Sequence, residues 1–171
     1  MNWISLTNEE NSFDEIPMSN GLTAVFITTF GLSATIFAET ETQKALTVFM
    51  LEKDQSCVGR GNVGFALSEL PWRRQTFKQD KEFLLQALSG IKEELGWQTL
   101  DYEPEKELLF PVVNRLIQLT EQLTEELIEE VAAVEWLMAA KEDDSIVTGF
   151  PWCEEHQLLL SLYGCHACND K

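Results

Sequence analysis

The sequence predicts an α+β fold in which an N-terminal antiparallel sheet of three to four strands packs against C-terminal helices. Two observations lead to this prediction: β-branched and aromatic runs in the first half, and apolar stripes at helical spacing in the second. A length of 171 residues predicts a single domain over 1–171. We expect mainly strands over 1–70, with at most one short strand within 1–20, and mainly helices over 76–171.

The strand predictions rest on segments rich in Val, Ile, Thr and Phe. Residues 21–29, 32–39 and 44–53 share this bias and are separated by short turns, the second of which is the polar stretch 40–43. Short strands joined by short turns are typical of an antiparallel meander. A fourth strand is expected over 63–67.

The helix predictions begin at Thr76, which forms a capping-box pattern with Gln79. The apolar residues that follow fall on one helical face: Leu84, Leu88, Ile91 and Leu95. Gly96 is a suitable C-terminal stop. Gly90 inside the pattern costs this helix about 1 kcal/mol relative to alanine.

The longest helix prediction covers 111–142, which opens with a proline and contains no glycine. Its apolar residues step by threes and fours: Val112, Leu116, Leu119, Leu123, Leu127, Val131, Val134 and Met138. Such a helix would be about 45 Å long, against about 40 Å for the diameter of a compact chain of this size. A break or bend near Thr120 or Thr124 is therefore favoured over a helix that projects to meet a partner. A last short helix is expected over 158–162, ending at Gly164.

The sharpest motif is Cys153-x2-His156-x8-Cys165-x2-Cys168. Two ligands separated by two residues can occupy one edge of a zinc tetrahedron, and two such pairs complete a Cys3His shell. With no open position, the zinc would be structural and would contribute folding energy. His166 is a spare candidate, although a residue adjacent to Cys165 normally points elsewhere. The alternative is a set of free thiols, because eight residues is a short gap between two zinc knuckles.

Other sequence patterns argue against nucleotide binding and catalysis. Gly59, Gly61 and Gly64 match Gly-x-Gly-x-x-Gly, but no strand leads directly into a helix there, so a loop is expected. Both histidines, His156 and His166, lie inside the cysteine cluster. A Ser-His-Asp or Cys-His system would therefore compete with the zinc site, and we expect no enzymatic activity.

The chain is strongly acidic, with 29 Asp and Glu against 12 Lys and Arg and a formal charge of −17. Residues 101–171 hold 16 of these acids and 4 of the bases. This balance disfavours direct binding to nucleic acid or to an anionic membrane, because both are bound by Lys and Arg. Glutamates crowd one stretch of predicted helix: Glu121, Glu125, Glu126, Glu129 and Glu130. They indicate either a solvated helix face or a docking surface for a basic partner.

The function predicted from these features is binding of a basic protein partner without catalysis. An inhibitor or immunity protein that occludes a basic partner such as a nuclease toxin fits the size, the charge and the lack of catalytic motifs. Two alternatives stay open: a small-molecule-binding or metal-dependent enzymatic domain, and a homo-oligomeric structural protein, such as a homodimer, built on the 111–142 helix. In the oligomer, Leu119, Leu123 and Leu127 would be exposed in a monomer and buried in a dimer.

The expected location is the cytoplasm. Residues 1–13 contain no basic residue ahead of an apolar run and therefore do not resemble a signal peptide. The uninterrupted apolar runs are much shorter than the roughly 20 residues needed to span a bilayer. Three of the four cysteines are clustered, which indicates metal or redox chemistry in a reducing compartment rather than disulfides.

Overall fold

The computed structural model describes residues 1–9 and 14–169, and it consists of helices and strands. The α+β class is confirmed: a sheet forms in the N-terminal region and helices dominate the C-terminal part. The helices are α1 (Asn20–Phe37), α2 (Glu41–Leu51), α3 (Phe77–Lys92), α4 (Lys106–Gln122), α5 (Glu130–Met138) and α6 (His166–Asn169). The strands are β1 (Asn2–Ser5), β2 (Ile16–Met18), β3 (Phe65–Ala66), β4 (Trp152–Cys153) and β5 (Leu158–Leu159).

The N-terminal sheet has three strands in the order β2-β1-β3, and it is mixed rather than antiparallel throughout. β1 pairs antiparallel with β2 and parallel with β3, so that Ile4 lies opposite both Ile16 and Phe65. All three side chains are buried, which sets one face of the sheet on the core. The crossover that a parallel pair needs contains α1 and α2. The strand predicted over 63–67 contains β3, whereas the expectation of at most one short strand within 1–20 is wrong, because β1 and β2 both lie there.

The strands predicted over 21–29, 32–39 and 44–53 are wrong, and residues 1–70 are mainly helical. The first two segments form α1, and most of the third lies in α2. Both helices are buried over most of their length, so they have no continuous polar face to reveal a helical period. Without that period, only their composition is left as a signal, and β-branched residues of this kind are typical of strands.

Hydrogen bonds within α1 and α2 show how the threonine hydroxyls of these segments are satisfied in a helix. Three hydroxyls each donate to the carbonyl oxygen four residues earlier, at 2.7–2.9 Å: those of Thr29, Thr35 and Thr47. Such bonds satisfy the hydroxyl without a neighbouring strand. The stretch 40–43, expected as a turn, is the capping box of α2. There the Thr40 hydroxyl accepts from the backbone N–H of Gln43, and Gln43 Oε1 accepts from that of Thr40, both at 3.2 Å.

α1 has a composition that also suits a membrane. Its 18 residues have a mean hydropathy of 1.4, so by length and composition it could cross a bilayer, which the short apolar runs of the sequence did not suggest. In the structure 56% of this helix is buried, and it packs against α2, α3 and β5. The position of α1 in the core accounts for its composition.

The helix predicted after Thr76 is α3, but its expected capping box is not formed. The Thr76 hydroxyl donates instead to Asp80 Oδ2 at 2.6 Å. α3 packs between α1 and α4 and buries four of its apolar side chains completely or nearly so: Phe83, Leu84, Leu88 and Ile91. Just before α3, Trp72 is 1% exposed and donates its indole N–H to the carbonyl of Leu67 at 2.7 Å.

The helix predicted over 111–142 is interrupted. A break is favoured because a continuous helix would be longer than the diameter of a compact chain of this size. α4 ends at Gln122, with Pro111 inside it, and α5 is a separate helix. Leu119 and Leu123 are fully buried within the single chain, so the exposure expected for an oligomer built on this helix is not found at these positions. Beyond the break the stripe turns outward, and four residues are 36–81% exposed: Leu127, Val131, Val134 and Met138.

The Gly-x-Gly-x-x-Gly segment lies in a loop between α2 and β3, as expected. A backbone bridge between Asp54 and Asn62 closes this loop. β3 then leads into a three-residue 3₁₀ turn at Leu67–Glu69 rather than into an α-helix. The loop therefore lacks the helix N-terminus that binds a pyrophosphate.

Candidate metal centre

Two tight turns deliver the four predicted metal ligands. Cys153 is the last residue of β4, and His156 lies in the turn to β5. Gln157 has φ +53° in this turn and donates its backbone N–H to the Cys153 carbonyl at 2.8 Å. The second turn is closed by Ser161 and Gly164, whose backbone groups bond in both directions at 3.2 and 3.0 Å. Gly164 adopts φ +84°, a conformation that favours glycine.

The second turn leads directly into α6 through Cys165. A single helical turn then sets Cys165 and Cys168 on the same side, and the Asn169 N–H donates to the Cys165 carbonyl at 3.2 Å. The helix predicted over 158–162 is wrong, because its first residues form β5. β5 is fixed to the core by the Leu159 N–H, which donates to Thr35 Oγ1 of α1 at 3.0 Å.

The four ligand atoms form a compact cluster, all within 4.8 Å of one another. The Sγ atoms of Cys153 and Cys168 are 3.8 Å apart, and His156 Nδ1 lies 3.6, 3.7 and 3.3 Å from the Sγ atoms of Cys153, Cys165 and Cys168. Tetrahedral zinc, with bonds of about 2.3 Å to sulfur and about 2.0 Å to nitrogen, separates two sulfurs by about 3.8 Å and sulfur from nitrogen by about 3.5 Å. These four separations match the edges of a tetrahedral metal shell, while the whole cluster extends to no more than 4.8 Å.

Three thiols at this distance influence one another's ionisation. Burial acts to raise the pKa of Cys153, but hydrogen bonds from the backbone and side chain of His156 outweigh it and lower the pKa to about 7. Burial raises the pKa of Cys165 to about 12, and the neighbouring Cys153 adds to this effect. Burial and Cys153 also raise the pKa of Cys168. One thiolate therefore opposes the formation of the next two, and a bound cation removes this conflict.

A second polar constellation is formed by Asp54, Ser161 and His166, and no motif in the sequence signals it. His166 Nε2 lies 2.9 Å from Ser161 Oγ, and its Nδ1 lies 3.9 Å from Asp54 Oδ2. His166 is thus directed to this constellation and is absent from the metal cluster, as expected. Burial lowers the pKa of His166, and the Asp54 charge opposes this shift.

The order of these groups resembles a catalytic Ser-His-Asp triad, but their burial argues for a structural role. Ser161 is 4% exposed, and its Oγ also accepts the Tyr163 backbone N–H at 3.1 Å. A nucleophile must reach a substrate, which this hydroxyl does not. The contacts connect the loop after α2 to the turn that carries Cys165.

The five glutamates predicted as a partner surface do not share one helix face. Glu121 lies in the last turn of α4, Glu125 and Glu126 lie in the loop before α5, and Glu129 and Glu130 begin α5. The expected face required a continuous helix, and the break after α4 removes it. Glu121, Glu125 and Glu126 are exposed, whereas the other two are half-buried.

Glu129 and Glu130 are engaged within the chain. Glu129 Oε1 accepts the Ser68 hydroxyl at 2.8 Å, and Glu130 Oε2 lies 2.9 Å from Arg74 Nε. The Arg74 backbone N–H also donates to Glu130 Oε1 at 3.1 Å. These two carboxylates therefore orient the start of α5 against the preceding segments.

The arrangement of Cys153, His156, Cys165 and Cys168 could hold a metal ion. Four protein ligands fill a tetrahedral shell and leave no position for a substrate or water. The chain matches no known protein family, no curated protein and no solved structure. Its function is therefore inferred from its own geometry.

Proposed function

We propose that this protein binds a basic protein partner without catalysis and that its C-terminal segment folds around a structural zinc ion. The observation that carries the proposal is the exposed apolar stripe of α5, formed by Val131, Val134 and Met138, which is surrounded in sequence by carboxylates. The zinc ion would fix the C-terminal segment that follows α5 by joining Cys153 and His156 to Cys165 and Cys168.

Zinc is the metal best suited to the Cys3His cluster. Soft thiolates with one imidazole in a tetrahedral arrangement favour zinc over the hard cations Mg²⁺ and Ca²⁺, which take oxygen ligands. The closed shell favours a structural role over a catalytic one, since catalytic zinc keeps a position open. The ion would join the β4–β5 turn to α6 and would bring together thiols that otherwise oppose one another's ionisation.

The surface proposed to bind the partner combines an apolar stripe with negative charge. Val131, Val134 and Met138 are 72%, 52% and 81% exposed along α5. Segment 121–143 contains eight carboxylates and a single lysine. An amphipathic basic segment of a partner would cover the stripe with apolar side chains and reach the carboxylates with Lys or Arg. The carboxylates available to it are exposed: Glu121, Glu125, Glu126 and Glu135.

The specific role we propose is inhibition by occlusion, in which this surface covers the basic active site of a partner such as a nuclease toxin. The charge would speed association by attracting the basic partner over several ångströms. The enzymatic alternative has less support, because the metal shell is closed and Ser161 is buried. The oligomeric alternative has less support because Leu119 and Leu123 are buried within one chain. The predicted cytoplasmic location fits this role and stays a prediction.

Affinity capture with matched variants tests the partner. The tagged protein is incubated with an extract of its native host, and bound proteins are identified by mass spectrometry. Val134→Lys introduces a positive charge into the stripe, and Val58→Lys introduces it at a valine of equal exposure (53%) in the loop after α2. We expect wild type and Val58→Lys to capture one basic protein and Val134→Lys to capture none of it. Raising the salt concentration is expected to release the captured protein, because salt shortens the screening length.

Three outcomes would contradict the proposal. The first is capture of the same proteins by Val58→Lys and Val134→Lys, and the second is the lack of a basic protein among those enriched. The third is a wild-type dimer in sedimentation that Val134→Lys abolishes, which would assign the stripe to self-association.

A further inference from the structure

A small cavity lies at the C-terminal end of α5, separate from the metal centre. Its volume is about 170 Å³, and it is bounded by the end of α2, the last turn of α5 and the segments near residues 144–146 and 162. Two carboxylic acids, Glu52 and Asp144, line it together with the Trp136 ring. The rest of its wall is apolar: Ala139, Ala140, Ile146 and Leu162.

Asp144 supplies a buried oxygen with unsatisfied hydrogen-bonding capacity. The residue is 7% exposed, and its Oδ2 accepts the Lys141 backbone N–H at 2.6 Å. Its Oδ1 is buried and has no hydrogen-bond partner among the described residues. A buried carboxylate oxygen left unpaired costs more than a neutral one, so a donor that reached it would be strongly favoured.

Glu52 adds a second carboxylate on the same wall. Its Oε2 accepts the Trp136 indole N–H at 2.9 Å, and the Leu162 backbone N–H also hydrogen-bonds to this carboxylate. Burial raises the pKa of Glu52, and the Asp144 charge raises it further, while the hydrogen bonds from Trp136 and Leu162 and the Lys53 charge oppose these effects. Two mutually repelling acids beside an aromatic ring form a site that attracts a cation.

We infer that this cavity receives one Arg or Lys side chain of the basic partner. The inference rests on the proposed function and identifies where the partner's side chain binds. The cationic head group would contact Glu52 and Asp144, with the Trp136 ring beside it. The aliphatic stem would pack on Ile146 and Leu162. The largely apolar wall argues against a hard metal ion. Ca²⁺ takes six to eight oxygens, whereas this wall offers two carboxylates.

The test uses n-butylguanidinium as the probe and n-butylurea, its neutral isostere, as the control. Protein labelled with ¹⁵N is titrated with each, and the Trp136 indole N–H resonance, assigned with a Trp136→Phe variant, is followed. We expect butylguanidinium to shift this resonance saturably and butylurea to leave it unchanged. Asp144→Asn is expected to weaken the binding at least tenfold, whereas Glu107→Gln, which removes an exposed carboxylate outside the cavity wall and outside the proposed partner surface, retains it.

A second variant separates loss of the site from loss of folding. Ala139→Leu fills the cavity without removing a hydrogen bond, and it is expected to abolish the response while the unfolding midpoint is kept. Equal shifts with butylurea, an undiminished response in Ala139→Leu, or equal weakening by Glu107→Gln would overturn the inference. A further outcome separates the two proposals. If Val134→Lys abolishes capture of the partner but butylguanidinium does not bind the cavity, the cavity is not the binding site for the Arg or Lys side chain, and the proposed function still stands.

Discussion

Gly90→Ala tests how closely α1 and α3 pack, because two effects of opposite sign compete there. Alanine is favoured over glycine inside a helix by about 1 kcal/mol. In this structure, however, a Cβ at Gly90 would lie 2.2 Å from Ser33 Oγ, 2.9 Å from Leu95 Cδ1 and 3.1 Å from Phe37 Cε2. The Ser33 hydroxyl is buried and donates to the Ala87 carbonyl at 2.6 Å, so it cannot withdraw without loss.

The balance predicts that Gly90→Ala destabilises the protein. Overpacking a core costs about 1–3 kcal/mol, and a disturbed buried hydrogen bond adds about 1 kcal/mol or more. After the propensity gain, the expected loss in free energy of unfolding is about 1–3 kcal/mol. For a chain of this length, 2 kcal/mol corresponds to a fall in Tm of about 4–8 °C.

The assay is thermal and urea unfolding of Gly90→Ala beside a control at Gly21. Gly21 also lies in a helix, but a Cβ there has no atom within 4 Å, so Gly21→Ala is expected to be neutral or stabilising by up to about 1 kcal/mol. Adding Ser33→Ala to Gly90→Ala removes the nearest clash and is expected to restore part of the loss. A Gly90→Ala protein as stable as Gly21→Ala would refute the close packing of α1 on α3.

Two further predictions concern caps and buried charge. Thr40→Ala removes half of the capping box of α2 and should lower the free energy of unfolding by about 1 kcal/mol in urea denaturation, whereas Thr124→Ala in an exposed loop should change little. Burial raises the pKa of the Asp80 carboxyl above its ordinary 3.8, although the Thr76 hydrogen bond opposes this. The folded state therefore holds this proton more tightly than the unfolded state, and the associated stability is lost as pH rises through the folded pKa. Asp80→Asn does not titrate, so its stability relative to wild type should increase as the pH rises above 3.8; a constant difference across urea titrations would contradict the shift.

Helices with one polar face could be predicted from the sequence, whereas buried helices could not. α3 and α4 are half-exposed, and their apolar periodicity predicts them. α1 and α2 are buried, so only their caps distinguish them from strands. Thr40–Gln43 and Thr76–Gln79 carry the same pattern, yet only the first forms a capping box, because Asp80 takes the Thr76 hydroxyl.

The ligand cluster could be predicted because each pair of its ligands is close in sequence. Cys153 and His156 share one turn, and Cys165 and Cys168 share another, so the spacing alone indicates two edges of a tetrahedron. The cavity lined by Glu52 and Asp144 has no such signal, because tertiary packing brings distant segments together there. Likewise, the acidic helix face depended on a continuous helix that the break after α4 removes.

The metal content of the purified protein tests the central claim, that a structural zinc ion is held by Cys153, His156, Cys165 and Cys168. The protein is purified without chelator, and zinc per chain is measured by elemental analysis for wild type, Cys168→Ser and Cys57→Ser. Cys57 is an exposed cysteine outside the cluster and serves as the control. The account predicts about one zinc per chain in wild type and Cys57→Ser and nearly none in Cys168→Ser. Zinc-free wild-type protein, or equal zinc in Cys168→Ser and wild type, would contradict it.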